Sequence, residues 1–398
     1  MRALLLEAIH DDAAFALRDA GFEVERVDRA LGEAELIEAL QGVHVLGLRS
    51  NTTLTAAALA AAPDLLAVGA FCIGTNQIDL AAASERGVAV FNAPFSNTRS
   101  VVELALSELI ALTRRLTDKN TDMHAGVWDK SAVGSHEVRG RRLGIVGYGN
   151  IGSQLSVLAE ALGMRVLFFD TADRLALGNA RRCGTLDELL GESDVVSLHV
   201  DGRSSNSGIF GEEQFSRMRP GSIFLNLSRG FVVDHDALRA HMLSGHIAGA
   251  AVDVFPVEPK AKGEEFVSVL RGLPNVILTP HVGGSTEEAQ QDIGNFVAGK
   301  LRDYVADGGT SLSVNLPPVS LPREPAQARL LLLHQNTPGV LATVNGLFAE
   351  HGTNIDGQLL STRGSLGYVV TDTAEAPSDD VVAALSALPV TVFLRVLT

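Results

Sequence analysis

Thiols and large aromatic rings are scarce in this chain, with two Cys, one Trp and three Tyr among 398 residues. Two cysteines far apart, Cys72 and Cys183, exclude a disulfide framework and predict two buried, reduced thiols of a cytoplasmic protein. Positive charge is short as well: 32 Lys+Arg face 47 Asp+Glu, a formal net charge of −15. With no Lys/Arg-rich run, the chain lacks the basic surface that neutralising phosphates requires, so no nucleic-acid partner is expected. No apolar run nears the roughly 20 residues needed to span a bilayer. The opening Met1-Arg-Ala-Leu-Leu-Leu-Glu7 turns acidic too early for a signal peptide, so no membrane association is expected. No metal is expected either.

What is present is the composition of a globular protein, 46% hydrophobic and 20% charged. The length implies two or three domains. Between Met1 and Phe95, short apolar runs (Ala3-Leu6, Val43-Leu48, Leu65-Val68, Val88-Phe91) alternate with helix-like segments, an α/β unit without a glycine fingerprint. A helix is predicted from Thr98 to Leu116 by the apolar spacing of Val101, Val102, Leu104, Ala105, Leu109 and Leu112.

The next unit carries the strongest motif. The run Arg142-Leu-Gly-Ile-Val enters Gly147-Tyr-Gly149-Asn150-Ile151-Gly152 and then a helix-like segment, the loop that holds a dinucleotide pyrophosphate. The helix N-terminus offers its free N–H groups to the anion. A second strand-like run ends at Asp170, placed to accept the ribose hydroxyls and to repel a 2′-phosphate, which favours NAD; Arg174 nearby leaves NADP open.

Further strand candidates end in polar clusters: His199, Asn226 to Arg229, Asp253 to Glu258, and Thr279 to Ser285. Ligands bind at the carboxyl ends of parallel strands, so these clusters are expected to converge. Oxidising an alcohol with NAD needs a base for the hydroxyl proton, and His281 titrates in the right range. Glu258 suits the role of orienting that imidazole and raising its pKa, and the planar guanidinium of Arg229 suits a substrate carboxylate.

A helix-like segment from about Glu287 to Ala306 is expected to return to the first domain. The proline-bearing Asn315-Leu-Pro-Pro-Val-Ser-Leu-Pro-Arg-Glu-Pro325 reads as a stiff linker. Beyond it the order β-α-β-β-α-β is ferredoxin-like. The expected domains are 1–97 with 287–315 for substrate, 98–286 for NAD, a linker 316–328, and a small module 329–398.

On Gly69-Ala-Phe-Cys-Ile-Gly-Thr-Asn-Gln77, Phe91 to Ser100, the glycine loop, Ser228-Arg-Gly230, Asp253 to Pro259 and Thr279 to Ser285, the chain resembles the NAD-dependent D-2-hydroxyacid dehydrogenases. The resemblance implies a Rossmann-type NAD domain, a discontinuous flavodoxin-like substrate domain and a C-terminal ferredoxin-like ACT domain. It implies Arg229, Glu258 and His281 as catalytic residues, and cofactor contacts at Asn150, Ile151, Asp170, Leu227, Ser228, Asp253, Gly283 and Gly284. Within the family it points to oxidation of 3-phosphoglycerate, the first step of serine biosynthesis. Substrate contacts are then expected at Arg49, Ile73, Gly74, Asn97 and Lys130, with Lys130 reaching across a subunit boundary. Family members of this short form commonly have a second arginine two positions after the first; Asn51 stands here, which leaves open another 2-hydroxy acid such as 2-hydroxyglutarate. The ACT signature, His334-Gln-Asn-Thr-Pro-Gly-Val340 with Gly352-Thr-Asn-Ile355, implies L-serine as effector at His334, Asn336 and Asn354 between paired modules, and a homo-oligomer, expected as a tetramer. A further alternative is an NAD-sensing, non-enzymatic binding protein.

Overall fold

The computed structural model describes residues 1–259, 263–322 and 328–397. Its contacts define two units, Met1–Ser96 with Gln290–Thr398, and Asn97–Ala289. Of the expected linker, residues 323–327 lie outside the described residues.

In the first unit β1 (Arg2–Leu6), β2 (Glu23–Val27), β3 (Val45–Leu48), β4 (Ala67–Ala70) and β5 (Ala89–Asn92) form a parallel sheet in the order β2-β1-β3-β4-β5. Strands β3, β4 and β5 are buried along their whole length, as unbroken apolar runs covered on both faces should be. Strand β2, Glu-Val-Glu-Arg-Val, is an exposed edge with no apolar run to mark it in the sequence. The strand order is that of flavodoxin-like folds.

The second unit holds β6 (Arg142–Val146), β7 (Arg165–Phe169), β8 (Arg181–Arg182), β9 (Val195–Leu198), β10 (Ser222–Asn226), β11 (Ile247–Val252) and β12 (Val276–Leu278). All pairs are parallel and the order is β12-β11-β10-β9-β6-β7-β8. Strand order reverses between β6 and β9, the switch point at which doubly wound sheets open a ligand crevice. The helix Thr98–Thr113 packs on β10, β11 and the helix Asn150–Ala161. It stops short of the expected Leu116 because Arg115 takes a left-handed φ of 51° and starts a new helix, Leu116–His124, that buries no residue.

The chain then returns to the first unit through the helix Glu287–Asp307, whose Val297, Leu301 and Tyr304 pack into that unit's core. The C-terminal sheet comprises β13 (Ala328–Gln335), β14 (Ile355–Arg363), β15 (Leu366–Thr373) and β16 (Thr391–Leu397), antiparallel in the order β14-β15-β13-β16. Helices Val340–Glu350 and Asp379–Ser386 cover one face. The other face sends Leu331, Leu333, Tyr368 and Val370 into the same core as the helix Glu287–Asp307, so this module is seated on the first sheet's unit.

Cys183 is buried, but Cys72 is only partly so, which corrects the expectation of two buried thiols; Cys72 sits in a loop with its Sγ 3.1 Å from the Gly74 carbonyl. Among the described residues no helix is long and apolar enough to cross a membrane, and no group of three or more His, Cys, Asp and Glu could hold a metal ion.

Candidate active site

The glycine loop follows β6 at the switch point. Gly147 has φ 92°, and a Cβ there would stand 2.5 Å from the His199 carbonyl oxygen after β9, so only glycine lets the loop turn beneath its neighbour. A Cβ on Gly152 would lie 2.2 Å from the Gly147 carbonyl, whereas the space outside Gly149 is open. The helix Asn150–Ala161 starts at Gly149 without a side-chain cap, leaving first-turn N–H groups for an anion. Tyr148, inside the motif, is buried: its ring stacks on Phe168 at 3.8 Å and its hydroxyl bonds to Ser156 at 2.6 Å, bracing the loop from below.

At the end of β7, the Asp170 carboxylate accepts from the Tyr148 and Ala172 N–H groups, each at 2.8 Å, and faces Arg174 at 3.5 Å. Loop, helix end and acid together fit an NAD pyrophosphate and ribose. Asn150 is exposed, while Ile151 is half-buried at the helix start.

The three ionisable residues meet at the carboxyl ends of β10, β11 and β12. His281 Nδ1 lies 2.9 Å from Glu258 Oε2, and Glu258 Oε1 accepts from the Phe255 N–H at 3.0 Å, so the carboxylate is fixed at both oxygens. The Glu258 hydrogen bond raises the His281 pKa, with burial opposing it and the Glu258 and Asp253 charges assisting. Burial alone would push Glu258 up, but its bonds to His281 and Phe255 and the charges of His281 and Arg229 hold it below the usual value. His281 has φ 55°, a strained conformation for a non-glycine residue and of a kind that clusters at active sites. Arg229 directs Nη1 to the Ser228 carbonyl at 2.7 Å. The glycine after it is forced: a Cβ on Gly230 would meet the Phe255 backbone at 2.0 Å, which is how the Arg229 and Glu258 loops come so close.

Asp253, 1% exposed, binds the segment that carries His281. One carboxylate oxygen accepts from Thr279 Oγ1 at 2.7 Å and the Val282 N–H at 2.8 Å, and the other from the Gly283 N–H at 2.9 Å. Leu227 and Ser228 are buried, the latter bonded to Asn226 through N–H and hydroxyl. Asn97 heads the helix Thr98–Thr113 and fits closely against Gly284, with its Oδ1 buried and without a hydrogen-bond partner among the described residues. Sequence reasoning missed Glu108, whose buried carboxyl lies beside Thr279 and Asp253. Its signal was available: Val101, Ala105, Glu108 and Leu112 share one helical stripe, and one of the four is charged.

In the first unit the buried Glu7 carboxylate accepts from the N–H groups of Arg49, Asn51 and Thr52 at 3.2, 3.0 and 2.8 Å, while Gln77 Nε2 donates to the Arg49 carbonyl at 2.6 Å. The Arg49 backbone is thereby fixed from two sides. Asn92 holds the Ile73 carbonyl at 2.6 Å, and Gly74 has open space around its Cα. Lys130 is exposed, 5.5 Å above the Trp128 ring, and Trp128 is itself 71% exposed.

In the C-terminal module His334 is buried opposite Gly367, and Asn336 Nδ2 donates to the Gly364 carbonyl at 3.2 Å. Asn354 precedes Ile355, which pairs with Thr373 at the opposite end of the sheet. Register therefore separates Asn354 from His334 by about 20 Å of strand within one chain.

A family model described as D-isomer specific 2-hydroxyacid dehydrogenase, NAD binding domain, matches residues 106–283, and an AHAS small subunit-like ACT domain model matches residues 330–392. D-3-phosphoglycerate dehydrogenase of Haemophilus influenzae is 50% identical over 398 residues, 100% of this chain and 97% of that protein. That of Escherichia coli K12 is 49% identical over 400 residues, again covering 100% and 97%. A solved D-lactate dehydrogenase from Aquifex aeolicus, complexed with NAD and lactic acid, is 27% identical with a TM-score of 0.65 over 76% of this chain and 95% of that one. The glycine loop, the His281–Glu258 pair and full-length identity of this degree agree: the chain belongs to the D-isomer specific 2-hydroxyacid dehydrogenases, among the D-3-phosphoglycerate dehydrogenases.

Proposed function

We propose that the chain oxidises 3-phospho-D-glycerate to 3-phosphohydroxypyruvate, the first step of L-serine biosynthesis, in the cytoplasm. The observation that carries this reading is the 2.9 Å contact of His281 with a carboxylate fixed at both oxygens. NAD, when bound, supplies the hydride acceptor. Glu258 accepts a hydrogen bond from the Nδ1–H of His281, which fixes the tautomer with Nε2 as the basic nitrogen for the substrate hydroxyl proton. The imidazolium so formed is stabilised by Glu258, and Arg229 grips the substrate carboxylate through paired hydrogen bonds. Arg49, its backbone pinned by Glu7 and Gln77, takes the phosphate end, and Lys130 of a neighbouring copy completes the grip.

Arg49→Ala is the direct test. Loss of a charge-assisted contact should raise KM for 3-phosphoglycerate about 10- to 100-fold with little change in kcat. Steady-state kinetics on a panel of 2-hydroxy acids, with NAD and NADP, checks it. An unchanged KM would remove Arg49 from the site, and faster turnover of 2-hydroxyglutarate than of 3-phosphoglycerate would make the uncharged Asn51 the mark of a different substrate.

We propose L-serine as an effector held between two modules, and the register supports a site shared by two copies. His334 and Asn336 occupy one end of the module and Asn354 the other, so an effector touching all three needs two copies. Strand β14 is an open sheet edge bearing Leu359 and Leu360, 37% and 38% exposed, and it suits such pairing within a tetramer. Millimolar serine is expected to lower velocity and raise the melting temperature of wild type, and to do neither in Asn354→Ala; equal responses of the two proteins would refute the assignment.

A further inference from the structure

Glu108 lies on the buried face of the helix Thr98–Thr113, 3% exposed, and neither carboxyl oxygen has a hydrogen-bond partner among the described residues. Its polar surroundings are the Thr279 hydroxyl and, beyond it, the Asp253 carboxylate. An ionised carboxylate here would be desolvated beside a second one, whereas the neutral acid can donate its proton towards Thr279.

Most other charges near this helix are engaged elsewhere. Strands β10, β11 and β12 bring no charged residue. On the helix Asn150–Ala161, Glu160 is taken up by the Asn179 N–H. On the helix Leu116–His124, Asp118 binds Arg115 and the Asn275 N–H and Lys119 binds Asp129, while Asp122 and His124 complete its charged set. On its own helix Arg99 pairs with Glu103. Burial, the larger cause, and the Asp253 charge push the Glu108 carboxyl up to about 8, against the Thr279 hydroxyl, which favours the ionised form.

We propose that Glu108 is a positioning residue which, as a neutral acid, steadies Thr279 and Asp253 beneath the Thr279–Gly284 segment, and whose ionisation loosens that segment's hold on the nicotinamide end of NAD and on His281. The chain of contacts is short: Glu108 beside Thr279, Thr279 to Asp253 at 2.7 Å, Asp253 to the Val282 and Gly283 N–H groups. A negative Glu108 competes for the Thr279 proton and repels the carboxylate that organises the loop. The inference rests on the reading of this segment as the cofactor-facing loop.

The test compares wild type with Glu108→Gln, which keeps a neutral donor of similar shape but cannot ionise. NADH affinity, read by nucleotide fluorescence, should fall about tenfold in wild type as pH rises from ~7 to ~9.5, within the usual range of couplings between sites, and stay flat in the variant. Melting of the apo protein gives a second reading. A folded-state pKa raised above the ordinary 4.5 means the native state holds a proton the unfolded state releases, so stability contributed by Glu108 is lost between pH 4.5 and about 8. Wild type should lose melting temperature across that window relative to the variant. Coinciding pH profiles of the two proteins would overturn the proposal and leave Glu108 a mere filler. Wild type binding no NADH at any pH would instead overturn the cofactor reading, and this inference with it. Should the Gln variant not fold, Asp253→Asn must move the wild-type melting midpoint to lower pH, and an unmoved midpoint counts against the proposal.

Discussion

His281→Asn is expected to cut turnover of the 2-hydroxy acid by about 10²- to 10⁴-fold, the contribution of a positioned general base, while NADH binding stays near normal. Asparagine is the informative replacement because His281 sits at φ 55°, a conformation that asparagine tolerates better than most side chains. The loss then belongs to the imidazole and not to a refolded loop. Its companion is Glu258→Gln, which keeps a hydrogen-bonding group 2.9 Å from Nδ1 but removes the charge that raises the His281 pKa. Oxidation requires the basic imidazole, so in wild type kcat/KM should rise with pH through a midpoint above the ordinary histidine value of 6.5, and reduction should fall through the same midpoint. In Glu258→Gln the midpoint moves to lower pH and the plateau rate drops, since the imidazolium formed in the reaction has lost its counter-charge. Near-normal turnover in His281→Asn, or a midpoint moving upward in Glu258→Gln, would sink the assignment. Pre-steady-state bursts of NADH separate the chemical step from release.

How much of this was legible in the sequence depended on how each residue announces itself. Strands β3, β4, β9 and β10 were visible because a parallel strand covered on both faces must be apolar throughout. Strands β2 and β8 were not, since Glu-Val-Glu-Arg-Val and Arg181–Arg182 are sheet edges that need no apolar face. The helix break at Arg115 escaped because leucine at 116 continues the apolar spacing while standing 58% exposed in the structure. At the site, Arg229, Glu258 and His281 were readable as polar residues just past strand ends. What holds them was less so: Asp253 works by accepting from two backbone N–H groups, and Gly230 by an approach to Phe255, neither of which side-chain identity encodes. The separation of Asn354 from His334 required the pairing register of β13, β14 and β15, which spacing alone does not give.

Asp372→Ala should destabilise the first unit by about 3–5 kcal/mol, the usual cost of stripping one partner from a buried ion pair. Arg329 and Asp372 have side chains 1% and 4% exposed, and Arg329 donates to both carboxylate oxygens at 2.6 Å. Its remaining donors go to the Asp307 carbonyl at 3.0 Å, the Leu321 carbonyl at 2.8 Å and the Pro322 carbonyl at 3.0 Å, so all five guanidinium N–H groups are used. One residue thus ties β13 and β15 to the segment at Leu321 and Pro322 and to the end of the helix Glu287–Asp307, where free helix carbonyls favour a cation. Without Asp372 the guanidinium stays buried with its charge uncompensated, and the carbonyls cannot neutralise it. The double variant Arg329→Met with Asp372→Leu removes both charges and should recover most of the loss, because an apolar pair of similar volume is often neutral or better. Denaturant melts of the two variants decide the matter. A single Asp372→Ala protein within about 0.5 kcal/mol of wild type, the range of ordinary surface changes, would mean that the module's seat depends on the shared apolar core of Leu331, Leu333 and Tyr368 and not on this pair.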